Sequence, residues 1–182
     1  MSNLSPVSKI VLYLGILMAF SIQVNGQVDY GRFCHQSLAL TNTGMFVLGG
    51  WAVANIAGGA VGWSKTSGSQ KYFHQMNLFW NTVNLSISAV SLYSNLQADC
   101  SLLAPESVMA RHTRTENTLL INSALDLGYL STGILLKHLS GRSVNRTNLL
   151  KGYGNSLLLQ GAFLLVFDLC LYGILRAQRL NF

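Results

Sequence analysis

Four mostly apolar, nearly uncharged runs follow one another after residue 40, and short stretches holding most of the charge separate them. They cover residues 44–63, 73–93, 118–136 and 154–175. Each is close to the length that crosses ~30 Å of hydrocarbon as a helix rising ~1.5 Å per residue. The prolines, Pro6 and Pro105, both lie outside the runs, so no run is interrupted. A membrane barrel would instead show short segments of alternating polarity. The pattern predicts an all-α polytopic membrane protein, a four-helix transmembrane bundle occupying residues 27–182. Proline followed by an acidic residue, as in Pro105-Glu106, is a helix start. The third helix is therefore expected to begin near Pro105, before its apolar run.

An earlier apolar run, 10–22, is shorter. Lys9 precedes it and Gln23-Val24-Asn25-Gly26-Gln27 follows. A cation, about a dozen apolar residues and small residues at Val24 and Gly26 match a secretory signal cut after Gly26. The alternative is a retained anchor helix. Either way residues 1–26 are an N-terminal signal or anchor segment, with Lys9 in the cytoplasm and Gln27 outside.

Composition agrees with this picture. Half of the 182 residues are apolar and 10% are charged, against roughly 25% charged in a soluble domain. The net charge of +6 forms no basic stripe with interleaved aromatics, so nucleic acid is not an expected partner. The cations flank apolar runs, where they anchor helix ends at the headgroups. The two short connections carry Lys65, Lys71, Lys137, Arg142, Arg146 and Lys151, against Arg32, Arg111, Arg114, Arg176 and Arg179 on the other side. Six cations against five, read with the signal segment, put the short connections in the cytoplasm. The longer loop and the C-terminus then face the periplasm of a bacterial inner membrane. Cys34 and Cys100 both fall on that oxidising side, where a disulfide is permitted. Cys170, inside the fourth run, reads as a small packing residue.

Polar residues within the runs are the candidates for function. His74, Asn77, Asn81, Asn84 and Ser88 recur at intervals of three and four, which places them on one helical face. That face should look into the bundle, because lipid cannot satisfy amides. Asn122, Asp126 and Tyr129 follow on the third run, Asn155, Gln160 and Asp168 on the fourth, and Asn55 on the first. Asp126 has no lysine or arginine at its depth. An intramembrane carboxyl of this kind is hydrogen-bonded by amides, protonated, or bound to a cation. Two uses stay open for the cluster Asn55, His74, Asn77, Asn81, Asn84, Asn122, Asp126, Tyr129, Gln160 and Asp168: helix–helix hydrogen bonding, or a site for a ligand, ion or proton. Gly50, Ala54, Gly58 and Gly62, at four-residue spacing, read as a close-packing stripe on the first helix.

Catalytic signatures are missing. No His-x-x-His, Cys-x-x-Cys or His-Glu spacing supports haem or metal, and no nucleophile or phosphate-loop motif occurs. Neither an enzyme nor a bound cofactor is expected, and His74 is the one side chain placed to serve as a base on a lipid substrate.

Gly49-Gly50-Trp51-Ala52 with Asn55-Ile56, and Tyr72-Phe73-His74-Gln75-Met76-Asn77 with Trp80-Asn81 and Asn84, form two motifs. Asp126-Leu127-Gly128-Tyr129 is a third, and Gln160-Gly161-Ala162-Phe163 with Phe167-Asp168 a fourth. Together they resemble the signature of an uncharacterised family of small four-helix membrane proteins from Gram-negative bacteria. The resemblance covers nearly all of the chain after the signal segment and implies fold and location only. Two functions remain: a structural or binding membrane component, meeting lipids, another copy of itself or another membrane protein; or an oligomeric transporter or channel for a small solute, ion or proton, using Asp126 and Asp168.

Overall fold

A computed structural model describes residues 29–182; the segment 1–26, with its signal or anchor reading, lies outside them. The helical unit spans Gly31–Phe182. Four helices make up the described part: α1 Tyr30–Lys65, α2 Gly68–Leu96, α3 Pro105–Ser140 and α4 Thr147–Leu180. Every helix contains one of the four apolar runs, but the helices are 29 to 36 residues long. At ~1.5 Å per residue the longest reach ~54 Å, well past a ~30 Å hydrocarbon layer. Most of the extra length lies at one end, in residues 30–43 of α1 and 105–117 of α3.

Local chemistry explains the boundaries. Pro105 opens α3 with Glu106 in its first turn, where a missing N–H costs nothing and a negative charge meets the helix dipole. Between α1 and α2 the chain reverses through Thr66 and Ser67 into Gly68, whose φ of +58° is a left-handed backbone that glycine adopts freely. In the longer α2–α3 loop, the hydroxyl and the backbone N–H of Ser101 donate to Asp99 Oδ1 at 2.7 and 2.9 Å. Those two bonds hold the Asp99 carboxyl below its ordinary value.

Packing is closest along α4, which lies against both α3 and α2. A side chain at Gly154 would stand 2.8 Å from the Gly133 carbonyl, and one at Gly133 would stand 2.9 Å from the Gly154 carbonyl. Gly152 similarly faces Ser69, Tyr72 and Phe73 of α2. The stripe expected at Gly50, Ala54, Gly58 and Gly62 divides differently. Gly50, Ala54 and Gly58 face outward, whereas Gly62 lies under the His74 ring and Gly59 against His74 and Leu78. A glycine-rich helix can present either of two small-residue faces, and the α2 contacts select the one holding Gly59 and Gly62. Cys170 is exposed rather than packed.

The distribution of polarity is inverted relative to a water-soluble bundle. The buried residues of α2 are Asn77, Asn81, Asn84 and Ser88, all polar, while Phe79, Val83, Ile87 and Val90 on the same helix are exposed. Phe46 and Val53 on α1, Ile121 and Ile134 on α3, and Val166 and Ile174 on α4 extend this exposed apolar surface. Hydroxyls lying on it, at Thr82, Ser86, Ser131 and Thr132, donate to the carbonyl one turn earlier. They therefore need no water. α1, α3 and α4 are long and apolar enough to cross a membrane. α2 is long enough, and its buried amides are what keep its composition from meeting the same standard.

Candidate functional site

The polar residues gather in three places. The first is a closed network among α1, α2 and α4, centred on Gln160, which is wholly buried. Trp51 Nε1 donates to Gln160 Oε1 at 3.0 Å, and Gln160 Nε2 donates to Asn77 Oδ1 at 3.0 Å. Ser156 Oγ donates to that same Asn77 oxygen at 2.6 Å. Asn55 Oδ1 is the second, longer acceptor for Gln160 Nε2, and Asn55 Nδ2 donates to the Trp51 carbonyl. Asn81 Nδ2 donates to the Asn77 carbonyl and its Oδ1 accepts from Asn84 at 3.5 Å. Trp51 is fixed from its other side by Phe163, stacked at 3.9 Å. Buried amides cost free energy unless paired, and here each one named has found partners.

The second place lies about two turns along the bundle, between α2 and α3. A cavity of about 170 Å³ is lined there by Asn84, Asn122, Asp126, Tyr129, Trp80 and Asp168, with aliphatic side chains around them. Leu48 and Leu164, both buried, form its floor. Val83, Ile87 and Leu125, all about half exposed, form its rim, so the mouth opens sideways between the two helices. α2 and α3 meet around it through side chains, Trp80 edge-on to Tyr129 with centroids 4.6 Å apart, rather than by close backbone approach. The carboxyls of Asp126 and Asp168 stand within hydrogen-bonding reach of each other. Asp126 is 2% exposed, yet its Oδ2 has no hydrogen-bond partner, and neither has the buried Nε1 of Trp80. Asp168 can serve Asp126 only by carrying a proton, since two ionised carboxylates offer acceptors alone.

The third place is the end where the long helices project. Cys34 and Cys100 are joined in a disulfide, with Cα atoms 5.8 Å apart, tying α1 to the α2–α3 loop. Beneath it, the buried Glu116 receives Arg179 through two contacts, Nε at 3.0 Å and the terminal nitrogen at 2.8 Å, with Arg176 at 3.8 Å. A two-pronged guanidinium–carboxylate pair is among the stronger polar contacts a protein makes. His112, equally buried, meets Ser37 Oγ at 2.7 Å, donates from Nε2 to the Leu175 carbonyl at 3.1 Å, and lies 3.3 Å from Glu116. Arg111 donates to Asn95, which donates to Asn42. These groups satisfy one another.

The residues singled out from sequence thus separate. Asn55, Asn77, Asn81 and Gln160 belong to the closed network. Asn122, Asp126, Tyr129 and Asp168 line the cavity, and Asn84 touches both. His74 stands apart, one turn nearer the α1–α2 connection, its ring over Gly62. Residues outside the polar cluster marked by the sequence complete both groups. Trp51 and Ser156 close the network, with Ser156 one turn before Gln160. Trp80 walls the cavity, three residues after Asn77 and four before Asn84, on the face already marked. The pair His112 and Glu116, four residues apart on α3, was legible in the same way. Among the described residues, no group of three or more His, Cys, Asp or Glu side chains converges as a metal site would require.

No curated protein and no solved structure is similar to the chain. A model of a family of unknown function, DUF6992, matches residues 47–169, a stretch that takes in the closed network from Trp51 to Gln160 and the cavity through Asp168, and the chain belongs to that family.

Proposed function

We propose that the chain is an integral membrane protein whose four helices all cross the bilayer and whose cavity between α2 and α3 binds a small ligand. One observation carries the binding reading. Among the described residues three buried side-chain atoms have no hydrogen-bond partner, Asp126 Oδ2, Trp80 Nε1 and Gln178 Oε1, and the first two belong to residues that line a single cavity together with the Asp168 carboxyl. An unpaired buried polar group costs roughly 1–3 kcal/mol, which a ligand would recover. Transport through a single chain finds less support, since a path would have to pass the closed network around Gln160.

The inverted polarity of α2, whose outward apolar residues would be costly to leave in water, makes it the fourth span. Orientation follows from the charges. Of the arginines at the disulfide end, Arg179 and Arg176 are turned onto Glu116 and Arg111 onto Asn95. The short connections still carry the larger cation count, six against five, and a disulfide belongs on an oxidising side. The disulfide end would face the periplasm of a bacterial inner membrane, with lipid covering the exposed apolar surface.

Native mass spectrometry of the full chain, extracted from membranes in a mild detergent, tests this. A small molecule retained one-to-one by the natural protein and lost from Asp126→Asn is the expected result. Membrane-extracted protein that is ligand-free under every mild condition would overturn the binding reading.

A further inference from the structure

The cavity offers oxygen acceptors at its depth and hydrocarbon at its mouth. Asp126 and Asp168 supply two carboxyls, Asn84 and Asn122 add amide groups, and no lysine, arginine or histidine lines it. Two carboxyls in contact attract each other through a shared proton, as in the paired aspartates of acid proteases, which leaves one negative charge for the pair. At membrane depth a charge calls for a counter-charge. The residues lining the cavity supply none, so it falls to the occupant.

A bare metal ion does not suit the wall. For a transition metal, two carboxyls without a third His, Cys, Asp or Glu make an incomplete ligand set. An ammonium group fits better. It carries several donors for the unpaired Asp126 oxygen, Asp168 and the amide oxygens. The rings of Trp80 and Tyr129 present the aromatic surface that organic cations favour. A volume of about 170 Å³ is below the ~300 Å³ of an ordinary ligand pocket, which limits the buried part to a cationic head and a short chain. The exposed Val83, Ile87 and Leu125 at the mouth would carry the rest into lipid.

We infer that the cavity binds a small primary amine with an apolar tail, its ammonium held by Asp126 and Asp168 and its tail leaving between α2 and α3. The inference rests on the ligand-cavity reading above.

Calorimetric titration of the full chain in detergent with n-hexylamine hydrochloride, and separately with 1-hexanol of the same length, tests it. Saturable one-to-one uptake of the amine, more than about tenfold tighter than of the alcohol, is the expected result for a charge-assisted contact. Asp126→Asn and Asp168→Asn, each checked for native helix content, should weaken the amine by a similar factor. Glu116→Gln, which alters an acid outside the cavity, should leave amine affinity unchanged. Equal uptake of both probes, undiminished in the aspartate variants, overturns the amine assignment and leaves the ligand-cavity reading standing. Saturable uptake of neither probe overturns the amine assignment; combined with a ligand-free native mass, it overturns the cavity reading too. The comparison of the two probes on the natural protein decides the assignment even if a variant fails to fold.

Discussion

The polar interior of this bundle contains two neighbouring regions built from the same kinds of residue, and they are finished differently. Around Gln160 the amides of Asn55, Asn77 and Asn81, the hydroxyl of Ser156 and the indole of Trp51 satisfy one another. Around Asp126 a carboxyl oxygen and an indole N–H are left without partners beside open space. The helix spacing explains part of the difference. Gly152 draws α4 against α2, so short amides can reach across. α2 and α3 are held further apart by Trp80 and Tyr129, and Asn84 and Asn122 leave a gap that no side chain fills. Polarity alone therefore does not mark a site in a membrane bundle; unfinished pairing next to a void does.

That contrast can be broken or sharpened by substitution. The largest effect is expected at Gly152→Ala. The added methyl meets the backbone of α2 rather than a flexible side chain, and overpacking of this kind costs about 1–3 kcal/mol. The unfolding temperature in detergent should fall sharply, and folded yield with it. Gln160→Leu comes next, because it strands Trp51 Nε1 and takes a donor from Asn77 Oδ1 and Asn55 Oδ1; a loss of about 2 kcal/mol is expected, read by the same unfolding curve. Asp126→Asn should behave in the opposite sense. An amide donates its N–H to Asp168 without needing the shared proton, so stability should hold or rise by up to about 1 kcal/mol while bound ligand is lost. A large destabilisation there would make the carboxyl pair a structural element like its neighbour. Smallest of all is Gly50→Ala, on the outward face with nothing within 4 Å. It should leave the unfolding temperature unchanged or slightly raised, by at most about 1 kcal/mol of helix preference.

Much of this arrangement can be read in the chain, and the parts that cannot share a cause. Apolar runs of about twenty residues announce helices because crossing hydrocarbon demands that length. The stripe from Asn77 to Ser88 announces a buried face because helical periodicity brings it together. What periodicity cannot give is the register between helices. Whether Asn77 or Asn84 meets a partner depends on which residue of α4 or α3 stands opposite, and that is set by packing at Gly152, Gly133 and Gly154. The same lack of register sends Gly50 outward and Gly59 inward, though both sit in equally glycine-rich surroundings. It also hides the match of Arg179 to Glu116, which lie 63 residues apart and meet only because α3 and α4 run antiparallel. Trp80 was within reach of the pattern. Its place in the cavity wall does not show there, because tryptophan reads as an apolar residue until its N–H is found unpaired.

Cysteine reactivity on α2 puts the contrast between the closed and open regions to its most direct test. Asn77 and Asn84 are the same residue type, on the same helix face, and both buried; the account differs only in giving Asn84 a cavity beside it. Asn77→Cys and Asn84→Cys, each made with Cys170→Ala and the Cys34–Cys100 disulfide intact, would be exposed to a small membrane-permeant thiol reagent, and modification followed by intact mass. The account predicts rapid labelling of the Asn84→Cys protein, slowed by n-hexylamine, and a protected thiol in the Asn77→Cys protein. Equal protection of both, or equal labelling of both, would contradict it.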